Sequence, residues 1–181
     1  MQYEIIISGF GGQGILFMGK ILTYAGLLEG KEITWYPSYG PEQRGGTANV
    51  TVILSNKRIS SPILNEYNTA ITLNQPSLEK FEKTIKSNGT LIYDKYGITK
   101  MPTRKDIQIF EIDAINSSIK EGNSKMFNMI ILGGLIKVTK IVKIESITNS
   151  LKKTIQEYNQ KFLSMNQYAI LKGMNLIKKI K

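Results

Sequence analysis

The stretch YEIIISGFGGQGILFMGKILTYAGLLEGKEITWY, residues 3–36, decides the fold. YEIIIS is a short apolar run of β-branched residues, the composition of a buried strand. A glycine-rich turn follows, and then ILFMGKILTYAGLLEG carries Ile15, Met18, Ile21, Leu22 and Ala25 at helical spacing. Gly30 stands where a helix C-terminus takes glycine. EITWY is a second strand. The unit reads strand–loop–helix–strand, so the two strands are expected to lie parallel with a right-handed crossover.

Outward from this unit, PSYGPEQRGG (37–46) reads as a ten-residue loop with two prolines and three glycines. TANVTVILS (47–55) alternates, placing Ala48, Val50, Val52 and Leu54 on one face, and after a turn RISSPI is expected to return antiparallel. TAITLN is a further strand, with Pro76 opening the helix SLEKFEKTIK. Ser87–Asn88–Gly89 ends that helix, and TLIYD and IQIFEIDA are strands. From Asn116 onward the pattern is helical. MFNMIILGGLIKV is apolar all round and therefore buried on most sides. Its Gly133–Gly134 pair costs about 1 kcal/mol per glycine in a helix unless another backbone packs there. ITNSLKKTIQEY begins another helix. The last helix carries Leu163, Ile170, Met174 and Ile177 as a stripe. The expected fold is α/β: a single Rossmann-like three-layer domain over residues 1–181, with a mixed, mainly parallel sheet and a helical C-terminal third.

Composition limits the chemistry. The chain has 181 residues, 41% apolar and 21% charged, with no cysteine and no histidine. It therefore offers no thiolate for a cluster, no imidazole for a metal and no His or Cys for acid–base or nucleophilic work. No catalytic residue and no metal ligand is expected in it, and redox chemistry would have to come from a bound cofactor or a partner. No charged n-region, long apolar core and cleavage site follow one another at the start, and the most apolar stretch is too short for a membrane span, so a cytoplasmic location is expected. The net charge of +10 is lopsided: residues 121–181 hold 11 lysines against three glutamates. The excess is all lysine, with none of the three arginines in that half, which favours solvated helix faces over nucleic-acid readout.

Gly9, Gly11 and Gly14 keep the Gly-x-Gly-x-x-Gly spacing of a dinucleotide loop. The first glycine would serve the tight turn, the second close approach and the third packing of helix on strand. The acidic residue that holds a ribose is absent from the end of strand two, which reads Trp35–Tyr36–Pro37, while Glu32 stands at the strand's start. Either a nucleotide or a purely structural turn fits the glycines alone. The second loop should lie beside the first, at the carboxyl edge where open α/β sheets bind ligands. There Arg44, with Tyr36, Tyr39, Glu42 and Gln43 nearby, can grip an anion in two-point fashion, or else pair with Glu42 or cap a carbonyl. Asp94 ends another strand and either reaches the same edge or caps a turn.

Taken together, GFGGQG (9–14), YPSYGPEQRGGTANVTVILS (36–55), Ser61–Pro62, NMIILGGL (128–135) and the Asn166, Ala169, Gly173 pattern resemble the gamma subunit of 2-oxoacid:ferredoxin oxidoreductases. The RGGTAN form is most similar to the 2-oxoglutarate type, with the branched-chain type close behind. The resemblance implies a subunit of a cytoplasmic hetero-oligomeric oxidoreductase. That complex decarboxylates a 2-oxoacid oxidatively, transfers the acyl group to coenzyme A and reduces ferredoxin. It implies thiamine diphosphate, Mg and iron–sulfur clusters on partner subunits, packing on the thiamine-binding core near the coenzyme A side, and an isolated chain without activity. By the same resemblance, Gly9, Gly11, Gly12, Gln13, Gly14, Tyr39, Gly40, Pro41, Glu42, Arg44, Gly45 and Gly46 are interface- or ligand-proximal. No nucleic acid and no membrane is expected as partner. A self-sufficient NAD(P)- or flavin-binding protein is the competing expectation.

Overall fold

The computed structural model describes residues 2–40, 45–155 and 160–181. Its strands are β1 (Gln2–Phe10), β2 (Glu32–Tyr39), β3 (Thr47–Ser55), β4 (Tyr67–Thr72), β5 (Ile85–Asp94), β6 (Gln108–Ile112) and β7 (Lys178–Lys179). Its α-helices are α1 (Ile15–Leu28), α2 (Gln75–Phe81), α3 (Ala114–Lys120), α4 (Phe127–Thr139), α5 (Ile144–Thr154) and α6 (Gln160–Leu176). The strands form one sheet in the order β2-β3-β1-β4-β5-β6-β7. β1, β4, β5 and β6 pair in parallel, while β3 is antiparallel to both β1 and β2, and β7 is antiparallel to β6. The sheet is therefore mixed, with helices on both faces, as the residue pattern led us to expect.

Why these residues form these layers follows from the two sides of β1. Ile5 and Ile7 face a large cluster built with α1, α4, α5 and α6, whereas Ile6 faces a smaller one built with Leu78 and Phe81 of α2. Each fully buried aliphatic side chain of this kind contributes roughly 1.5–3 kcal/mol. α1 ends as expected, with Gly30 at φ 71 just past its last turn. α2 is capped by Asn74, whose side chain accepts from the Ser77 N–H at 2.9 Å, and has Pro76 in its first turn.

Four expectations change. β1 and β2 run in the same direction, but β3 lies between them, so they are not neighbours. RISSPI is irregular, because β3 finds both its partners in β1 and β2 and leaves no edge for a return strand. Pro37–Ser38–Tyr39 belongs to β2 and not to a loop; β2 is an edge strand, where a proline is tolerated. The helix after Pro76 also ends early, since Ile85 already joins β5, and the short β7 carries no signal beyond two lysines.

α4 and α6 cross at their glycines. A methyl group on Gly133 would run into the Ile170 carbonyl, and one on Gly173 into the Ile130 carbonyl. The contact is reciprocal and made of main chain, which accounts for glycines in a buried helix. Ala169 and Ile170 are buried beside it, and Asn166 lies one turn before.

Candidate functional site

The glycine loop leaves β1 at Phe10 and enters α1 at Ile15. Gly12 and Gly14 hold φ of 94 and 71, conformations that L side chains rarely adopt. Gln13 closes the turn on itself: its backbone N–H donates to the Phe10 carbonyl at 3.2 Å, and its side-chain Oε1 accepts from the Phe10 N–H at 2.6 Å. Gly9 has no side chain because that oxygen occupies the space. Gln13 is thus the clasp of its own loop.

The second loop is stitched to the first. The Gly11 N–H donates to the Gly46 carbonyl at 2.8 Å, and the Gly45 N–H reaches the Gly11 carbonyl at 3.5 Å. Gly9–Ala48 and Phe10–Thr47 continue the β1–β3 ladder up to this point. The structure therefore brings Gly9, Gly11, Gly12, Gln13, Gly14, Gly45 and Gly46 to one rim, at the carboxyl end of β1. Tyr39 joins them from the end of β2, and Gly40 follows it. Pro41, Glu42, Gln43 and Arg44 lie outside the described residues.

Two grooves flank the glycine loop. One, of about 510 Å³, is mainly apolar and is walled by Phe10, Leu16, Phe17 and Tyr39 with the loop glycines. Tyr39 is 64% exposed at its mouth, and Trp35 and Tyr36 are also exposed on β2. The other, of about 490 Å³, is more polar and is lined by Gln13, Ser118, Lys125 and Asn128. The contact between Gly14 and α4 was not legible beforehand. A side chain at Gly14 would meet the Asn128 amide, so the third glycine admits α4 rather than packing of helix on strand. Neither α1 nor α4 has a side-chain N-cap.

Among the described residues, a dinucleotide lacks its usual acidic anchor. Glu32 is in register with Ser55, which pairs with Gln2, and so stands at the opposite rim from Gly12. Asp94 does not reach the loop either. Its carboxylate is fully buried and accepts from the N–H groups of Tyr96 at 3.0 Å, Ala114 at 2.9 Å and Ile115 at 3.1 Å. It caps the turn Lys95–Gly97 and the start of α3. Burial pushes its carboxyl above the ordinary value of 3.8, against the pull of those three N–H bonds, and nearby Asp113 adds to the rise.

The sheet's topological switch point falls between β1 and β4, since α1 and α2 leave these neighbours for opposite faces. In open α/β sheets that crevice takes the ligand. Here it is plugged. The Leu73 N–H donates to the Ser8 carbonyl at 2.9 Å, and Gly97 lies so close to the Leu73 carbonyl that no side chain fits. Ser8 and Ser77 share a hydrogen bond of 2.9 Å below. Asn74 before Gln75–Pro76 was a readable cap signal for this region; Ser8 and Thr72 gave none.

The chain has no Cys or His with which to ligate an iron–sulfur cluster, and the described residues contain no group of three or more Asp or Glu side chains that could hold a metal ion. No described helix is long and apolar enough to cross a membrane.

The family model for pyruvate ferredoxin/flavodoxin oxidoreductase matches residues 4–176, and the chain belongs to that family. Among relatives, it is 33% identical over 166 residues to ketoisovalerate oxidoreductase subunit VorA of Methanothermobacter thermautotrophicus. That match covers 91% of this chain, which spans about a third of the VorA length, the covered share being 34%. It is 31% identical to 2-oxoglutarate synthase subunit KorC of Methanocaldococcus jannaschii, covering 99% of this chain and 96% of KorC. The crystal structure of the keto/oxoacid ferredoxin oxidoreductase gamma subunit from Geobacter sulfurreducens PCA superposes with a TM-score of 0.84 at 28% identity. It covers 97% of this chain and 96% of that one. The resemblance carried by the two loops is upheld.

Proposed function

We propose that residues 1–181 act as one gamma-type domain, the cluster-free gamma subunit of a cytoplasmic 2-oxoacid:ferredoxin oxidoreductase. The substrate is 2-oxoglutarate. The observation that carries this reading is the main-chain bridge between Gly11 and Gly46, which makes one rim of the two loops that bear the family pattern. End-to-end correspondence with a KorC subunit supports the substrate class. The rim packs on the thiamine-binding subunit near the coenzyme A side, through the glycine backbone and the exposed aromatic residues of β2. Arg44 and the loop N–H groups are the chain's candidates for holding an anionic group there. Thiamine diphosphate, Mg and clusters reside on partner chains, and ferredoxin is met only through them. The isolated chain is inactive.

Purification of the native protein tests this. It is expected to bring thiamine- and cluster-bearing chains with it, and the complex should form an acyl-coenzyme A faster from 2-oxoglutarate than from 3-methyl-2-oxobutanoate or pyruvate. A chain that runs alone from extract overturns the proposal, and a preference for the branched-chain acid reassigns the substrate. Calorimetry with NAD(P) and flavin nucleotides addresses the competing reading, under which saturable binding would be seen and abolished by Gly11→Val.

A further inference from the structure

The plugged switch point keeps an unsettled polar account. Thr72 Oγ1 and Asn74 Nδ2 are both buried and, among the described residues, neither has a hydrogen-bond partner. Thr72 is 0% and Asn74 4% exposed. The Asn74 amide cannot be turned to relieve this, because its oxygen is committed to the Ser77 N–H at 2.9 Å, which fixes the nitrogen outward from that bond. Thr72 follows Ala70 by two positions in β4, and Ala70 belongs to the cluster under α2, so Thr72 faces α2 as Asn74 does. Thr72 is in register with Ser8 in the β1–β4 ladder, Ser8 bonds Ser77, and the Ser77 N–H bonds Asn74, so the four polar residues are linked in series at the carboxyl ends of β1 and β4, with Gly97 packed against Leu73 and Asn74.

We propose that this crevice is a built site for a single ordered water, held by Thr72 Oγ1 and Asn74 Nδ2 and sealed from solvent by the turn at Gly97. The chemistry fits water and little else. One group is an amide donor, and the other is a hydroxyl that both donates and accepts; the neighbouring Ser8–Ser77 pair supplies further hydroxyl capacity. Buried waters make about three hydrogen bonds to groups of this kind. Among the described residues, the hydrogen bonds of the patch join only hydroxyl, amide and backbone groups, so neither a phosphate nor a cation finds a counter-charge among them. The fold has thus filled the usual ligand crevice of an α/β sheet, and ligand or partner contact is left to the glycine rim on the other side of β1.

A crystal structure of the full chain at a resolution that shows ordered water tests this. One peak is expected within about 2.7–3.2 Å of both Thr72 Oγ1 and Asn74 Nδ2. The Asn74 side-chain amide should also show a magnetisation-transfer peak to a slowly exchanging water in solution. Thr72→Val keeps the volume and removes one of the two anchors, and the peak and the transfer should both be lost. A direct bond between Thr72 and Asn74, an empty crevice in the wild-type chain, density too large for water, or an unchanged peak in Thr72→Val would each overturn the proposal.

Discussion

The glycine rim and the switch-point crevice lie either side of the end of β1, one residue apart at Gly9 and Ser8, and they are built on opposite terms. At the rim, main chain is turned outward through positive-φ glycines, and aromatic surface on β2 stays in solvent. In the crevice, the same strand end is covered by Leu73, α2 and the turn at Gly97, with polar groups driven inside. A crevice packed in this way serves stability; a rim left uncovered is the surface that the proposed function assigns to contact. Damage to the first should unfold the chain, and damage to the second should leave it folded but unable to assemble.

Asp94→Ala is expected to have the largest effect. It strands the N–H groups of Tyr96, Ala114 and Ile115, at a cost of about 3 kcal/mol or more, read by urea denaturation. The same carboxyl sets a pH limb. Its pKa is raised in the native state, so the folded chain binds that proton more tightly than the unfolded one. Stability should therefore decline as pH climbs from 3.8 through the raised value, and Asp94→Asn should flatten this limb. A limb that survives the substitution would assign it to another group.

Gly97→Ala should cost about 2 kcal/mol, because the methyl meets a main-chain carbonyl that cannot move without lifting the turn. A smaller loss in melting experiments would mean that the plug is softer than its packing suggests. At the rim, Gly12→Ala meets no described atom, and its cost is the strain of a side chain at φ 94, about 1 kcal/mol. Assembly should suffer more than that figure implies. Tyr39→Ala should change stability by no more than about 0.5 kcal/mol while weakening capture of the partner chains. Equal losses of stability from Tyr39 and Gly97 substitutions would erase the distinction between the two regions.

Much of this was legible in residues 3–36, where local period and glycine spacing describe strand, turn and helix without outside help. β3 was legible as a strand but not as a neighbour. Its alternation marks one apolar face, yet Thr51 and Ser55 on the other face are also buried, and only pairing on both edges reveals an interior strand. At the site, the two loops could be placed together because each sits at a strand's carboxyl end. The meeting of Gly14 with Asn128 joins positions far apart in the chain, and no periodicity carries it. The reason for Gly97 lies in the Leu73 carbonyl beneath it, which no local pattern carries.

The crossing of α4 and α6 has a bearing on how this chain tolerates change. Its two contact points, Gly133 and Gly173, touch carbonyls and not side chains, so the spacing of the helices is a property of peptide units alone. Exchanges among the methionines and isoleucines around it leave that gauge untouched so long as the two glycines stay. Since α4 begins against Gly14, the lip of the loop inherits a fixed datum, held true while the surrounding interior is rewritten.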